Sequence, residues 1–364
     1  MIDIIQSLLR SLHSRALSAV PSRGKNRFRR KHARHLAGTS ARMNPAYIAG
    51  LSACLAFCLL FMSSSAGATI WNVQQSPCNA TGGGVLDDTA AINTCIGKLV
   101  SGDTLLFPAG TYRITSSLVI NVANVTIDGS SNTATILAAF SGPTLEFGNP
   151  NGFCLKCSLG PSLSLASTAG ELSTSVTTAS SLGVSAGDYV YISQGGMDYS
   201  TDTAPGHSQN CDTSGCRGEV LQVQSVSGNT IIVTTALHDT YDPSSNGAVA
   251  RKVQNPLAGM TLQNITLNGA SLSSTPLSFF GVVNSTVSGV TITGANDPPS
   301  SGSYTLFANV TYGLNLNSVT LTSTAVNLAQ LGIYDHGNLS INGMSISGAR
   351  GGEPSFRAGP MILW

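Results

Sequence analysis

Along much of the chain, apolar and small polar side chains alternate one for one in short runs that end on a turn residue. Five runs share a phrase: NVTIDG from Asn124, NITLNG from Asn264, GVTITG from Gly289, SVTLTS from Ser318 and GMSISG from Gly343. A period of two is the mark of a strand with one buried face. The last four copies begin 25, 29 and 25 residues apart. One such strand cannot bury its own apolar face, but stacked copies can, and a repeat of roughly 20 to 50 residues marks a coil in which each turn covers the one before it. The pattern therefore predicts an all-β solenoid whose interior is packed and whose function sits on its outer surface.

Other stretches break the rhythm in informative ways. GGGVLDDTAAINTCIGKL, from Gly82 to Leu99, reads as a turn followed by a helix. Asp87 and Asp88 are suited to accept from the free N–H groups of its first turn, and Ala91, Ile92, Cys95, Ile96 and Leu99 make one apolar stripe. A lone amphipathic helix ahead of a solenoid plugs the open end and shields the first strand edge. Then TLLFPAGTYRI (104–114) predicts two strands about a Pro-Ala-Gly turn, and SLVINVANVTIDG with TATILAAF supply the first rungs. From about Gly160 to Val253 the long period disappears. AGDYVYISQGG and a hairpin, LQVQSV and TIIVTT joined at Ser227, Gly228 and Asn229, predict a small β subdomain inserted in the coil.

GVLDDTAAINTCI, GDTLLFPAGTYRI and VTIDG together resemble the opening of the pectate lyase superfamily domain, found in pectin-acting lyases, polygalacturonase-like hydrolases, rhamnogalacturonases and phage tailspikes. The resemblance is specific over about residues 72–129, and the rungs from Gly259 to Gly348 are compatible with it. It implies a right-handed parallel β-helix and an acidic or decorated polysaccharide as substrate class. It transfers no mechanism, because the matching segment is the capping region and members of the family place their chemistry on later rungs.

Charge is unevenly spread. Ten of the 18 Lys and Arg residues precede Thr69, against one acid, Asp3; from Thr69 onward 8 basic residues face 16 acidic ones, a formal −8. Such a body is a poor partner for nucleic acid, whose phosphates need a basic surface. Residues 46–62 are almost continuously apolar and are followed by Ala66-Gly67-Ala68, which presents small residues where a signal peptidase cuts. The reading taken is a basic leader over 1–42, which need not belong to the natural product if Met43 is the true start, and a signal peptide or signal anchor over 43–68. An uncleaved anchor is the alternative and the one case that involves a membrane. A lipoprotein box at Leu51-Ser52-Ala53-Cys54 fits less well, since apolar sequence continues after the cysteine. All three readings place the body outside the cytoplasm: secreted, periplasmic or on the cell surface.

Six cysteines remain beyond the apolar run: Cys78, Cys95, Cys154, Cys157, Cys211 and Cys216. In an oxidising compartment they predict disulfides, Cys78 with Cys95 and then the two local pairs. A four-thiolate zinc site from the last four is the weaker alternative, and no metal site is assigned.

Cleaving a glycosidic chain by hydrolysis needs two carboxyls about the bond; elimination needs a base beside the uronate carboxylate and a cation, Ca²⁺ or Arg and Lys, for the developing charge. From Gln254 to Tyr334 the only acid is Asp297 and there is no Lys or Arg, so those rungs alone cannot assemble a carboxylate pair. The nearest cluster is Asp335 and His336, followed by Arg350, Glu353 and Arg357. Asp335, His336 and Arg350 are the candidate catalytic residues, Asp335 and His336 sharing a face only if they sit in a turn, which Gly337 permits. Asp198, Asp202 and His207, in a polar loop that also carries Asp212 and Arg217, are with Asp297 the candidate substrate-binding residues. Each set has an ordinary reading as solvated loop and turn residues. Asp87, Asp88 and Asp128 read as cap and turn residues, His238 and Asp239 as an exposed pair, and the Asn and Thr of the rungs as stacked ladders that need no ligand. No phosphate loop, nucleophile elbow or zinc-protease motif is present.

The sequence thus predicts a cap and first rungs over 69–159, an inserted β subdomain over 160–253, and later rungs over 254–364. These end without an amphipathic cap, as a chain shorter than its full relatives would. The expected function is that of an exported protein acting on pectin-like or other acidic polysaccharide, as lyase or glycoside hydrolase, with Ca²⁺ as cofactor only in the lyase case. The alternative is a non-catalytic glycan-binding surface protein of tailspike or adhesin type. Oligomeric state is not legible.

Overall fold

The backbone winds through three parallel sheets in turn, as the computed structural model of the chain shows. It describes residues 67–148, 159–194, 217–270, 272–273, 275–295, 304–323, 329–348, 355–356 and 361–363. The first sheet stacks Ile70–Asn72, Thr104–Leu106, Thr126–Asp128, Thr261–Gln263, 286–288, 315–317, Leu339–Asn342 and Met361–Leu363. The second stacks Gly83–Asp87, Gly110–Ile114, Ala134–Ala138, Ile265–Asn268, Thr291–Thr293, Thr320–Ser323 and Ser345–Gly348. The third stacks Leu118–Ile120, Leu145–Gly148, Leu277–Phe280, 306–309, 331–334 and Ser355–Phe356. This is the expected parallel β-helix.

Alternation drives it. Ile127, Leu262, Val287, Leu316 and Ile341 point inward from the first sheet, Ile136, Leu267, Ile292 and Leu321 from the second, and Leu145, Leu277, Leu306 and Leu331 from the third, all in one buried core. Outside, the register builds polar ladders. Thr111, Thr135, Thr266, Thr291, Thr320 and Ser345 lie one above another on the second sheet. On the first, Asp128, Gln263, Ser288, Asn317 and Asn342 do the same, with Gln263 Nε2 donating to Asp128 Oδ2 at 3.1 Å.

The corners explain the repeat. Between the first and second sheets the chain turns on a single residue of positive φ, Asn264 (55°), Gly289 (61°), Ser318 (52°) and Gly343 (66°). These positions stack: the N–H groups of Asn264, Gly289 and Ser318 donate to the carbonyls of Ser288, Asn317 and Asn342 on the next rung. The first copy of the phrase belongs elsewhere. Asn124 stacks under Gly259, Asn284, Gly313 and Asn338 at the corner between the third and first sheets. Both corners need one left-handed residue beside an alternating strand, so the phrase cannot tell them apart. In this second column Asn and Gly alternate, because each Asn side chain fills the space that a Cβ on the next rung would take: at Gly313 it would lie 2.6 Å from Asn284 Oδ1.

The helix Thr89–Ile96 closes the N-terminal end, burying Ile92 and Cys95 in the same core as Val73 and Leu105, and Cys95 is bonded to Cys78 with the Cα atoms 5.5 Å apart. Only one of the two expected carboxylates serves its first turn. Asp87 Oδ1 accepts from Thr89 N at 3.0 Å, while Asp88 turns back to accept from Thr81 N and Gly82 N.

Between Leu145–Gly148 and Leu257–Ala258 lies a six-stranded antiparallel sheet in the order Ser175–Thr177, Thr230–Val233, Arg217–Ser227, Tyr189–Gln194, Val249–Lys252, Leu163–Ser164. The expected hairpin is there, turning at Gly228 and Asn229. One side of this sheet builds its own core around Ile192, Leu221, Val223 and Tyr241. The other presses Tyr189, Tyr191, Val220 and Val253 against Phe280, Val283, Val310 and Tyr312 of the coil. Hydrogen bonds cross this seam, Asn284 Nδ2 donating to Tyr189 Oη at 2.8 Å and the hydroxyls of Thr234 and Tyr312 meeting at 3.3 Å.

Candidate functional site

The outer sides of the three sheets differ in chemistry. Those of the first and second are mostly hydroxyl and amide ladders. The third carries Glu146, Ser278, Phe307, Asn309 and Tyr334 outward, between inward Leu145 and Phe147, Leu277 and Phe279, Leu306 and Ala308, and Leu331 and Ile333. The antiparallel sheet stands beside it as a wall. This is where the fold gathers aromatic rings and a carboxyl next to a seam.

The rings form one cluster. Tyr304 stacks on Phe307 with centroids 5.3 Å apart, and Tyr334 stands edge-on to Phe307 at 5.5 Å and to Tyr304 at 5.6 Å. The hydroxyls of Tyr304 and Tyr334 are hydrogen-bonded to each other. Gly332 makes the arrangement possible: it lies opposite Phe307 on the next rung, and a Cβ there would sit 2.5 Å from Tyr304 Cδ1. Phe307 is buried under its neighbours, whereas Tyr304 and Tyr334 remain half-exposed. Half-exposed rings offer an apolar face with a polar rim, the surface on which the C–H face of a sugar ring can lie.

Glu146 sits on the same sheet, in register with Ser278 and, one rung further, with Phe307. It is 8 % exposed, and burial pushes its carboxyl up from the usual 4.5, opposed by a hydrogen bond with the Ser117 hydroxyl. A carboxyl held toward its neutral form is able to donate a proton to a leaving oxygen. Sequence reasoning passed over Glu146; the signal was a lone carboxylate between Leu145 and Phe147 in an otherwise apolar run.

A second buried carboxylate, Glu219, lies inside the core of the antiparallel sheet. Its oxygens accept from His238 N at 3.1 and 3.2 Å, and burial raises its pKa against the hydrogen bonds it receives from His238, Tyr241 and Asp239. This secures the loop after Val233 and does not face the aromatic cluster. His238 Nδ1 lies 3.9 Å from Asp239 Oδ2 on the surface, the exposed pair expected there.

Of the candidate catalytic residues, Asp335 and His336 lie in the strand Ala329–Gly337, paired with Tyr304–Asn317, and not in a free turn. Asp335 occupies the register position of Val310, which has a φ of 52°, where the third sheet bends into the first. His336 pairs with Thr311 and is 1 % exposed. It is buried because its register column, with Thr311, Val282 and Leu257, faces the interior of the coil, while the neighbouring Gly337 faces the antiparallel sheet, the Val220 carbonyl lying where a Cβ on it would go. Arg350, Asp198, Asp202, His207 and Asp297 lie outside the described residues, as do Cys154, Cys157, Cys211, Cys216 and the apolar run 46–62. Among the described residues no group of three or more His, Cys, Asp and Glu is placed to hold a metal ion, and no helix is long and apolar enough to cross a membrane.

The family model for rhamnogalacturonase A/epimerase, pectate lyase-like proteins matches residues 70–352. The chain belongs to this family. A search of curated protein sequences found no match. Among solved structures it resembles the tailspike gp61 of Pseudomonas phage phi297, with a TM-score of 0.53 at 15% identity over 76% of this chain and 51% of that one. It also resembles the tailspike gp49 of Pseudomonas phage LKA1, with a TM-score of 0.51 at 16% identity over 80% and 55%. The chain thus spans about half the length of these tailspikes, and at such identity the likeness is one of fold.

Proposed function

We propose that this is an exported protein that acts on acidic or decorated polysaccharide of the pectin kind, holding the sugar chain along the outer side of the third sheet. The observation that carries the reading is the cluster of Tyr304, Phe307 and Tyr334 seated over Gly332, on the sheet that carries the protonation-prone Glu146 two rungs from Phe307. Saccharide sites pair a ring face with polar groups at its edge, and family membership fits a glycan substrate. In this reading the rings bind and orient a sugar, and Glu146 supplies a proton at the bond to be broken. Asp335, at the bend of the strand that carries Tyr334, is the candidate for a base, with Arg350 as the group that would answer developing negative charge; His336, in a column that faces the interior of the coil, is not placed for that role.

A binding-only protein of tailspike type is the second reading. It is favoured by a specific observation: among residues whose side chains are described, Glu146 is the one carboxylate on the outer side of the third sheet, and a hydrolase needs two. Incubation of the exported body with polygalacturonate, with and without Ca²⁺, separates the cases. Unsaturated products absorbing in the ultraviolet identify a lyase, new reducing ends without them a hydrolase, and binding without either a recognition module. Absence of both binding and cleavage across acidic and neutral pectic glycans would sink the proposal.

A further inference from the structure

The seam between the antiparallel sheet and the coil holds buried polar groups that no described residue satisfies. Ser193 Oγ, Asn309 Oδ1 and Arg251 Nε are all shut off from solvent without a hydrogen-bond partner among the described residues. Ser193 is 0 % exposed and Asn309 is 6 %. Leaving such groups unpaired in a well-packed interior is costly, so several of them in one region point to a guest that supplies the missing partners.

Their placement brings them to one wall. Arg251 is the register partner of Tyr191, and Ser193 follows two residues after Tyr191 on the same side of its strand. That side packs on Phe280 and Val310 of the coil. Phe280 is in turn the register partner of Asn309, and Asn309 of Tyr334 in the aromatic cluster. The polar groups therefore line the flank of the proposed sugar bed where the antiparallel sheet rises beside it.

The chemistry of the set selects a class of guest. One hydroxyl and a guanidinium N–H can donate, and one amide oxygen can accept from a sugar hydroxyl. Arg251 has no ion-pair partner among the described residues, whereas Lys252 next to it is held by Asp188 at 2.6 Å. An unpaired guanidinium in a body with twice as many acids as bases is complementary to a carboxylate. We infer that Arg251, carried by the antiparallel sheet and not by the coil, is the residue that selects an acidic sugar, a uronate whose carboxylate it binds, with Ser193 and Asn309 reading the hydroxyls beside it. This rests on the saccharide reading above.

Calorimetric titration of the full chain with an oligogalacturonate and with its carboxyl-reduced, neutral counterpart tests it. The wild type is expected to prefer the acidic sugar. Arg251→Gln should lose about ten- to a hundredfold in affinity for it while leaving the neutral sugar unchanged, and Arg251→Lys should recover part of the loss. Melting curves of both variants confirm that the seam has kept its fold. Unchanged acidic binding in Arg251→Gln, or equal loss for both sugars in a folded variant, overturns the role of Arg251 and leaves the saccharide reading standing. Wild-type binding to the neutral sugar alone does the same. If the wild type binds neither, both the inference and the reading it rests on fall.

Discussion

Gly313→Ala is a sharp probe of the stacked corner. Gly313 has a φ of 65°, and an added Cβ would lie 2.6 Å from Asn284 Oδ1. Holding an L-residue in the left-handed region costs about 1–2 kcal/mol, offset by about 0.4–1 kcal/mol from the stiffer unfolded chain. The Asn284 side chain must also move, and with it goes its 2.8 Å hydrogen bond to Tyr189, the link between coil and antiparallel sheet. That loss is worth about 0.5–1.5 kcal/mol. The expected total is about 2 kcal/mol, read from urea unfolding followed by circular dichroism. Asn284→Gly removes the obstructing amide, so in that background Gly313→Ala should cost only the backbone part, a coupling of about 1 kcal/mol. A cost below about 0.5 kcal/mol, or strict additivity of the two changes, would refute the alternation of Asn and Gly as a packing rule.

Two further outcomes follow from single groups. Glu146 takes up a proton more readily folded than unfolded, since burial raises its pKa above 4.5. The cost of its charge is thus absent below the unfolded value and grows as pH rises through the folded one. Glu146→Gln should be more stable than the wild type at about pH 8 and equal to it at about pH 4, and it should abolish any hydrolysis; equal stability at both pH values would refute its buried placement. Reduction of Cys78–Cys95, which closes a separation of 17 residues, should lower stability by about 3 kcal/mol in the same denaturation assay, and a reduced protein as stable as the oxidised one would count against the cap as part of the core.

The solenoid was legible because its corners advertise themselves. A left-handed residue is needed once per turn at the same place, so Asn264, Gly289, Ser318 and Gly343 recur with the rung length. The same logic misplaced Asn124, because two corners of each turn impose the same demand on an alternating strand. The helix plug and the hairpin were legible from local pattern alone. The candidate site was not. Where the antiparallel sheet and the aromatic cluster cover the coil, both sides of a strand are buried: almost every residue from Thr305 to Leu314 is inside. Alternation disappears there, and an outward Phe307 or Asn309 looks like core. Glu146 was hidden for the same reason, and Gly332 has meaning only once the Tyr304 ring is seen above it.

Glycan recognition on the third sheet is tested most directly by a crystal structure with an acidic pectic oligosaccharide bound. The account predicts sugar density over Tyr304 and Tyr334, with a carboxylate at Arg251 and a glycosidic oxygen within reach of Glu146. Density on the threonine ladder of the second sheet, with the aromatic cluster bare, would contradict it.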